Sequence, residues 1–208
     1  MGIVHTLTKQ LSGASTNTIA HSQTPGAAGN LTLTASPVSL DTARRVLFTP
    51  AGAEGANGTV WTVYGTNGSN NNIQETVTGV DNPSTVATQQ DFKTVSRIAV
   101  NKAQAGAVIV GTNGVGSTDW QSVDLMREPV NVNFQVVVSG TVNYTIEYTS
   151  QDVNALGVGA YPTVFAHSTV ASQSTSQSGS FTDPIAYLRL TVNSGTGSAT
   201  LTYEQAGP

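Results

Sequence analysis

Three histidines, His5, His21 and His167, are the side chains best suited to move a proton near neutral pH or to ligate a metal. None has a partner at metal-ligand spacing, and two lie in polar N-terminal sequence, so surface or packing roles fit them better. Seven aspartates and five glutamates are scattered singly, and none sits in an Asp-x-Asp-x-Asp-Gly calcium loop. A carboxylate pair for glycoside hydrolysis needs a scaffold to seat both groups, and the sequence offers little for that. The glycine-rich stretch GTNGVGSTDW, residues 111–120, lacks the Gly-Lys-Ser/Thr of a phosphate loop and the G-x-G-x-x-G of a dinucleotide turn. It reads as a turn at a sheet edge capped by Trp120. There is no Gly-x-Ser-x-Gly elbow and no cysteine, which excludes a thiolate site and a disulfide framework. Trp61 and Trp120 offer faces that stack on sugars, but a tryptophan in a β-domain is first a core residue. The expectation is a non-enzyme with no metal and no cofactor.

Charged residues make up 10% of the 208, the net charge is −4, and 38% are hydrophobic. Solubility therefore rests on Ser, Thr, Asn, Gln and Gly. Arg44-Arg45 is the only adjacent basic pair, and no aromatic-basic interleaving occurs, so nucleic acid is not an expected partner. The longest aliphatic run, residues 107–110, is too short to span a membrane, and MGIVHTLTKQLSGAS lacks the apolar core of a secretory signal. Asn30, Asn57, Asn67 and Asn143 match the glycosylation pattern, as chance allows in so Asn- and Thr-rich a chain.

The clearest architectural stretch is residues 130–148. Val130, Val132, Phe134, Val136, Val142, Tyr144, Ile146 and Tyr148 all fall on even positions, with Asn, Gln, Thr and Glu between them. That alternation predicts strands with one buried and one wet face. A two-residue turn at Ser139-Gly140 would set the apolar faces against each other. Parity therefore predicts either a bulged hairpin or a crossing between two sheets. Residues 186–192 and 199–203 read as a hairpin in which Val192 opposes Ala199 around Gly195-Thr196. Residues 92–100 and 107–111 read as another pair. Residues 45–49, 59–65 and 73–77 read as further strands, the middle one central because both its faces are partly apolar. No helical period appears anywhere.

These elements predict an all-β chain of two consecutive antiparallel β-sandwich or jelly-roll-like domains with an extended N-terminal arm. The expected partition is an arm over 1–29, one domain over 30–127 and a second over 128–208, with Pro129 at the boundary. The arm is expected either to lie on its own domain or to dock on a neighbouring subunit. The polar insertion over 151–180 is anchored by Tyr161, Val164 and Phe165, and a connection that long usually has a purpose. Partner-contact candidates are Ile3, Val4, Leu7 and Leu11 in the arm, and Tyr161 and Phe165 in the insertion.

Two regions carry familiar wording. One is residues 44–120, with RRVLFTPAGAEGANGTVWTVYGTN, NIQETVTG, QDFKTVSRIAV and GAVIVGTNGVGSTDW. The other joins VVVSGTVNYTIEYTSQDV, residues 136–153, to IAYLRLTVNSGTGSATLTYEQAG, residues 185–207. Both resemble recurrent modules of tailed-bacteriophage virion structural proteins, most of all capsid decoration (cement) proteins. The resemblance implies a β-rich protein without chemistry that binds and braces the major capsid protein. It implies self-association as a homotrimer and a place on the capsid surface of the virion after synthesis in the host bacterial cytoplasm. A tail, neck or fibre-associated virion protein is the alternative within that group. A carbohydrate-binding module is the alternative from another class.

Overall fold

The computed structural model describes residues 4–126 and 131–205; residues 127–130, with the Pro129 boundary, lie outside them. In chain order come β1 (Val4–Gln10), β2 (Ser15–Gln23), β3 (Gly29–Asn30), β4 (Val38–Arg44) and β5 (Val46–Pro50). A one-turn helix, α1 (Glu54–Asn57), precedes β6 (Val60–Thr66), β7 (Asn72–Thr78), β8 (Val86–Ala87) and β9 (Phe92–Val100). Next are β10 (Val108–Thr112), β11 (Gly116–Ser117), β12 (Gln121–Ser122), β13 (Val132–Ser139) and β14 (Val142–Thr149). The last are β15 (Phe165–Ala166), β16 (Gln177–Phe181), β17 (Tyr187–Gly195) and β18 (Ser198–Gln205). The chain is all-β with antiparallel sheets of sandwich type.

The chain does not divide in the linear order expected from sequence. One compact unit takes the N-terminal stretch to Gly13, Gly116–Gly157 and the chain from Tyr161 onward. The other is Ala14–Val115 with Val158–Ala160. The cause is strand pairing. β1 lies antiparallel along β18, with Val4 opposite Glu204 and Gln10 opposite Ser198. β2 pairs instead with β10. Residues 1–29 are therefore no single arm: β1 and β2 serve different units, and the second unit is inserted between β1 and the rest of the first.

In the unit that holds β1, one sheet runs β1-β18-β13-β16 and the other β11-β17-β14-β15, with β12 also on β17. Phe134, Val136, Leu201 and Tyr203 of the first sheet share a core with Tyr144, Ile146, Leu188, Leu190 and Val192 of the second. Fully burying each such side chain contributes about 2 kcal/mol. Of the two alternatives for residues 130–148, the chain takes the crossing: β13 and β14 lie in different sheets. The expected hairpin of 186–192 with 199–203 is not formed either, because β17 pairs with β14 and β18 with β13. The ladder runs from Val132 opposite Gln205 to Ser139 opposite Ser198, and resumes at Val142 opposite Gly195. Three residues forward on one strand match three back on the other. This is one antiparallel ribbon folded over on itself, and its crease forms one end of the sandwich.

The inserted unit repeats the principle. Its sheets run β2-β10-β5-β8 and β3-β9-β6-β7, with β4 also on β9. β9 and β10, expected as a pair, lie in different sheets across a core of Phe48, Trp61, Val63, Ile98, Val108 and Val110. Trp61 is fully buried and stacks on Phe48 at 4.7 Å between ring centroids. β6 lies between β9 and β7, in the interior position its two-sided apolar pattern predicts. β4, with Val38 and Leu40 buried, is a strand the sequence reading passed over.

A buried carboxylate ties the loops of this unit together. Glu54 is fully buried at the start of α1. Its Oε2 accepts from Thr59 Oγ1 at 2.6 Å, and its Oε1 accepts from the Gly106 N–H at 2.7 Å. Glu54→Ala strands both donors and is expected to cost about 2 kcal/mol in chemical denaturation. Glu54→Gln keeps an acceptor for Gly106 and gives the Thr59 hydroxyl a donor, so it is expected to cost less than half as much. Equal losses for the two variants would contradict this account.

Candidate interaction surface

Of the three histidines, His5 and His21 are exposed, and His167 is engaged in holding the fold. His167 is buried, lies edge-on to Phe134 and Phe181, and its Nε2 sits 3.2 Å from the Ser180 carbonyl. Arg44 is buried beside Asp41, and burial lowers its pKa despite that carboxylate. Among the described residues no cluster of three or more His, Asp or Glu is placed to hold a metal ion.

Glu75 on β7 accepts the N–H groups of Gln89 and Gln90, each at 2.7 Å. Burial raises its pKa, and those two hydrogen bonds oppose the rise. A carboxyl raised in the folded state stabilises most when protonated. Its contribution is present in acid and is lost as pH rises through the raised value. Carbon-detected NMR of the side-chain carboxyl should give a midpoint above the ordinary glutamate range; a midpoint at or below that range would contradict it.

The odd-numbered face of β14, expected to be wet, is largely covered. Residues of the insertion run along the β14 edge: Tyr144 N donates to the Gln173 carbonyl and Ile146 N to the Val170 carbonyl. Val170, an anchor the sequence reading missed, is buried in the core. Above the sheet, Arg189 donates through Nε to Glu147 Oε2 at 2.8 Å, and its guanidinium lies 4.3 Å from the Trp120 ring centre. It also donates to the Tyr161 hydroxyl, and Thr191 Oγ1 donates to Glu147 Oε2 at 2.8 Å. Trp120, a candidate sugar platform by residue type, and Tyr161 are here the walls around a buried arginine.

The outer face of the β1-β18-β13-β16 sheet is different. Cross-strand partners Thr6 and Thr202, and Thr8 and Thr200, join hydroxyls at 3.3 and 2.9 Å. Gln135 pairs with Thr202 on one side and Ser178 on the other, continuing the row across the sheet. Thr, Ser, Gln and Asn fill this face; Val4 and Val137 are its exposed apolar members and Glu204 its one charge. Strand alternation explains it, since Leu7, Leu201, Phe134 and Gly179 occupy the inward positions.

No family model, curated protein or solved structure matches this chain. Its surface is therefore read from its own residues.

The structure does not gather the partner-contact candidates into one patch. Ile3 lies outside the described residues. Val4 is exposed on the polar outer face, and Leu7 points the other way, half-buried against the core. Leu11 is 1% exposed and is spent inside its own unit, so it offers nothing to a partner. Tyr161 is engaged with Arg189. Phe165 is half-exposed on β15, tilted against Tyr148 at 5.7 Å. The almost uncharged outer face was legible as the odd positions of β13 and the Thr-x-Thr spacings of β1 and β18. Its assembly from both chain ends was not.

Proposed function

We propose that this protein is a bacteriophage virion structural protein of the decoration type, which binds the major capsid protein shell and braces it as an oligomer. The observation that carries a binding role is the almost uncharged outer face of the β1-β18-β13-β16 sheet, combined with buried ionisable groups that serve as fasteners. The assignment to a virion rests on the module wording of residues 44–120, 136–153 and 185–207. A protein that is soluble before assembly and buries surface afterwards benefits from such a face. Ser, Thr, Asn and Gln stay hydrated when alone, yet cost less to desolvate than charges.

The test is addition. Purified protein is mixed with shells that lack it, and the shells are sedimented. Pelleting at saturable stoichiometry, with a higher dissociation temperature for the shell, is the expected result. Protein that stays in the supernatant at every ratio would overturn the proposal.

A further inference from the structure

We propose that Arg97 and Tyr64, on the outer face of the β3-β9-β6-β7 sheet, form a docking point for a protein carboxylate on the capsid shell. The inference rests on the shell binding in the proposed function and names one contact that performs it. A bulge creates the point. β9 pairs with β6 from Trp61 opposite Val100 to Tyr64 opposite Arg97, and then shifts so that Gly65 opposes Val95. Ser96 is the extra residue, and its hydroxyl donates to the Tyr64 carbonyl at 3.1 Å. A bulge re-aims side chains. Here Ser96 and Arg97 are both exposed, where strict alternation would expose one of them. The Arg97 guanidinium carbon lies 3.9 Å from the Tyr64 ring centre. Stacking on an aromatic face preorganises the guanidinium, so less freedom is lost when its N–H fork meets a partner.

The surroundings are those of a binding hot spot. Arg and Tyr are enriched among the residues that dominate interfaces, and such residues are ringed by near-neutral contacts. Tyr64 lies on an interior strand, between Arg97 on β9 and Gln74 on β7. To either side, cross-strand threonines join hydroxyls: Thr66 with Thr94 at 2.8 Å, and Thr62 with Thr76 at 3.4 Å. Glu75 is the one acid on β6, β7 and β9, and its carboxylate is taken by the Gln89 and Gln90 N–H groups. Of the described lysines and arginines, only Lys102 and Arg97 are exposed, and Lys102 donates to the Asn57 carbonyl at 2.9 Å. Arg97 has no hydrogen bond or ion pair among the described residues. An unpaired, preorganised guanidinium on a neutral face fits an acidic partner, and its fork of donors matches the two oxygens of a carboxylate. A sugar is the poorer fit, because Arg97 covers the ring face on which it would stack.

The test repeats the shell-addition assay with variants. Arg97→Gln is expected to weaken shell binding about tenfold. Arg97→Lys keeps the charge but loses the fork, and should restore only part of that affinity. Lys102→Gln makes the same change in net charge at the other exposed cation, and should alter affinity by less than about twofold. Shells whose surface carboxylates have been converted to neutral amides should no longer distinguish Arg97→Gln from the unmodified protein. Circular dichroism melts that overlay for all variants show that folding is intact, and Arg97→Lys keeps the comparison if Arg97→Gln melts early. Arg97→Gln protein that binds as tightly as the unmodified chain would overturn the docking point and leave shell binding standing. Equal losses for Arg97→Gln and Lys102→Gln would assign the effect to overall charge and overturn it as well. A difference that survives amidation would overturn the carboxylate as partner. An unmodified protein that binds no shell would remove both this contact and the proposed function.

Discussion

Gly195→Ala is expected to lower the free energy of unfolding by about 4 kcal/mol, a large part of a typical domain's total. Gly195 has φ +99°, a conformation that costs an L-residue about 1–2 kcal/mol. A Cβ there would also collide with the Thr141 carbonyl oxygen and lie 2.9 Å from Val142 Cα. Both obstacles are backbone, so nothing flexible can move aside. The position is the crease of the folded ribbon, where the Gly197 N–H donates to the Thr141 carbonyl at 2.8 Å. Chemical denaturation followed by tryptophan fluorescence and circular dichroism measures the loss. Gly13→Ala, where an added Cβ meets nothing within 4 Å, is the control and should change little. A Gly195→Ala protein as stable as this control would show that the crease is not constrained.

Arg189→Met is expected to cost about 4 kcal/mol, because it strips a largely buried carboxylate of its cation. The Arg189 and Glu147 side chains are 4% and 16% exposed, and Arg189 Nη2 lies 2.7 Å from Glu147 Oε2. Without the guanidinium, Glu147 retains the Thr191 hydroxyl, and Tyr161 loses its donor. The insertion should then loosen around Tyr161 and become more sensitive to limited proteolysis. Adding Glu147→Gln removes the orphaned charge, so Arg189→Met with Glu147→Gln should recover at least half of the lost stability. A double variant as unstable as the single one would mean that ring packing on Trp120, and not the ion pair, carries the effect.

Strand positions were largely legible in the sequence, and their partners were not. Phe134, Tyr144, Leu190 and Leu201 announce buried faces by simple alternation. Alternation, however, states only that two strands point their apolar sides at one core. Neighbours in one sheet satisfy it, and so do strands facing each other across a sandwich. That is why β17 with β18, and β9 with β10, read as pairs and proved to belong to opposite sheets. For β13 and β14 the parity of Val136 and Val142 argued against a tight turn, and there the crossing was foreseen as one of two outcomes. Pairing of β1 with β18 spans nearly the whole chain, and no local signal encodes it. The candidate surface inherits that limit. Thr6, Thr8, Thr200 and Thr202 are visible as Thr-x-Thr spacings, but their union in one face depends on the long-range ladder. The Glu147–Arg189 pair escaped for the same reason: Arg189 opposes Glu147 only once β14 and β17 are neighbours.

A bracing role on the capsid requires many copies of the protein on each particle, spread over the shell. Quantitative mass spectrometry of purified virions, with the major capsid protein as internal standard, measures this directly. The account predicts a copy number that scales with that of the capsid protein, and labelled particles with signal over the entire surface. A handful of copies per virion, confined to one vertex or to the tail, would contradict it and assign the chain to the neck, tail or fibre instead.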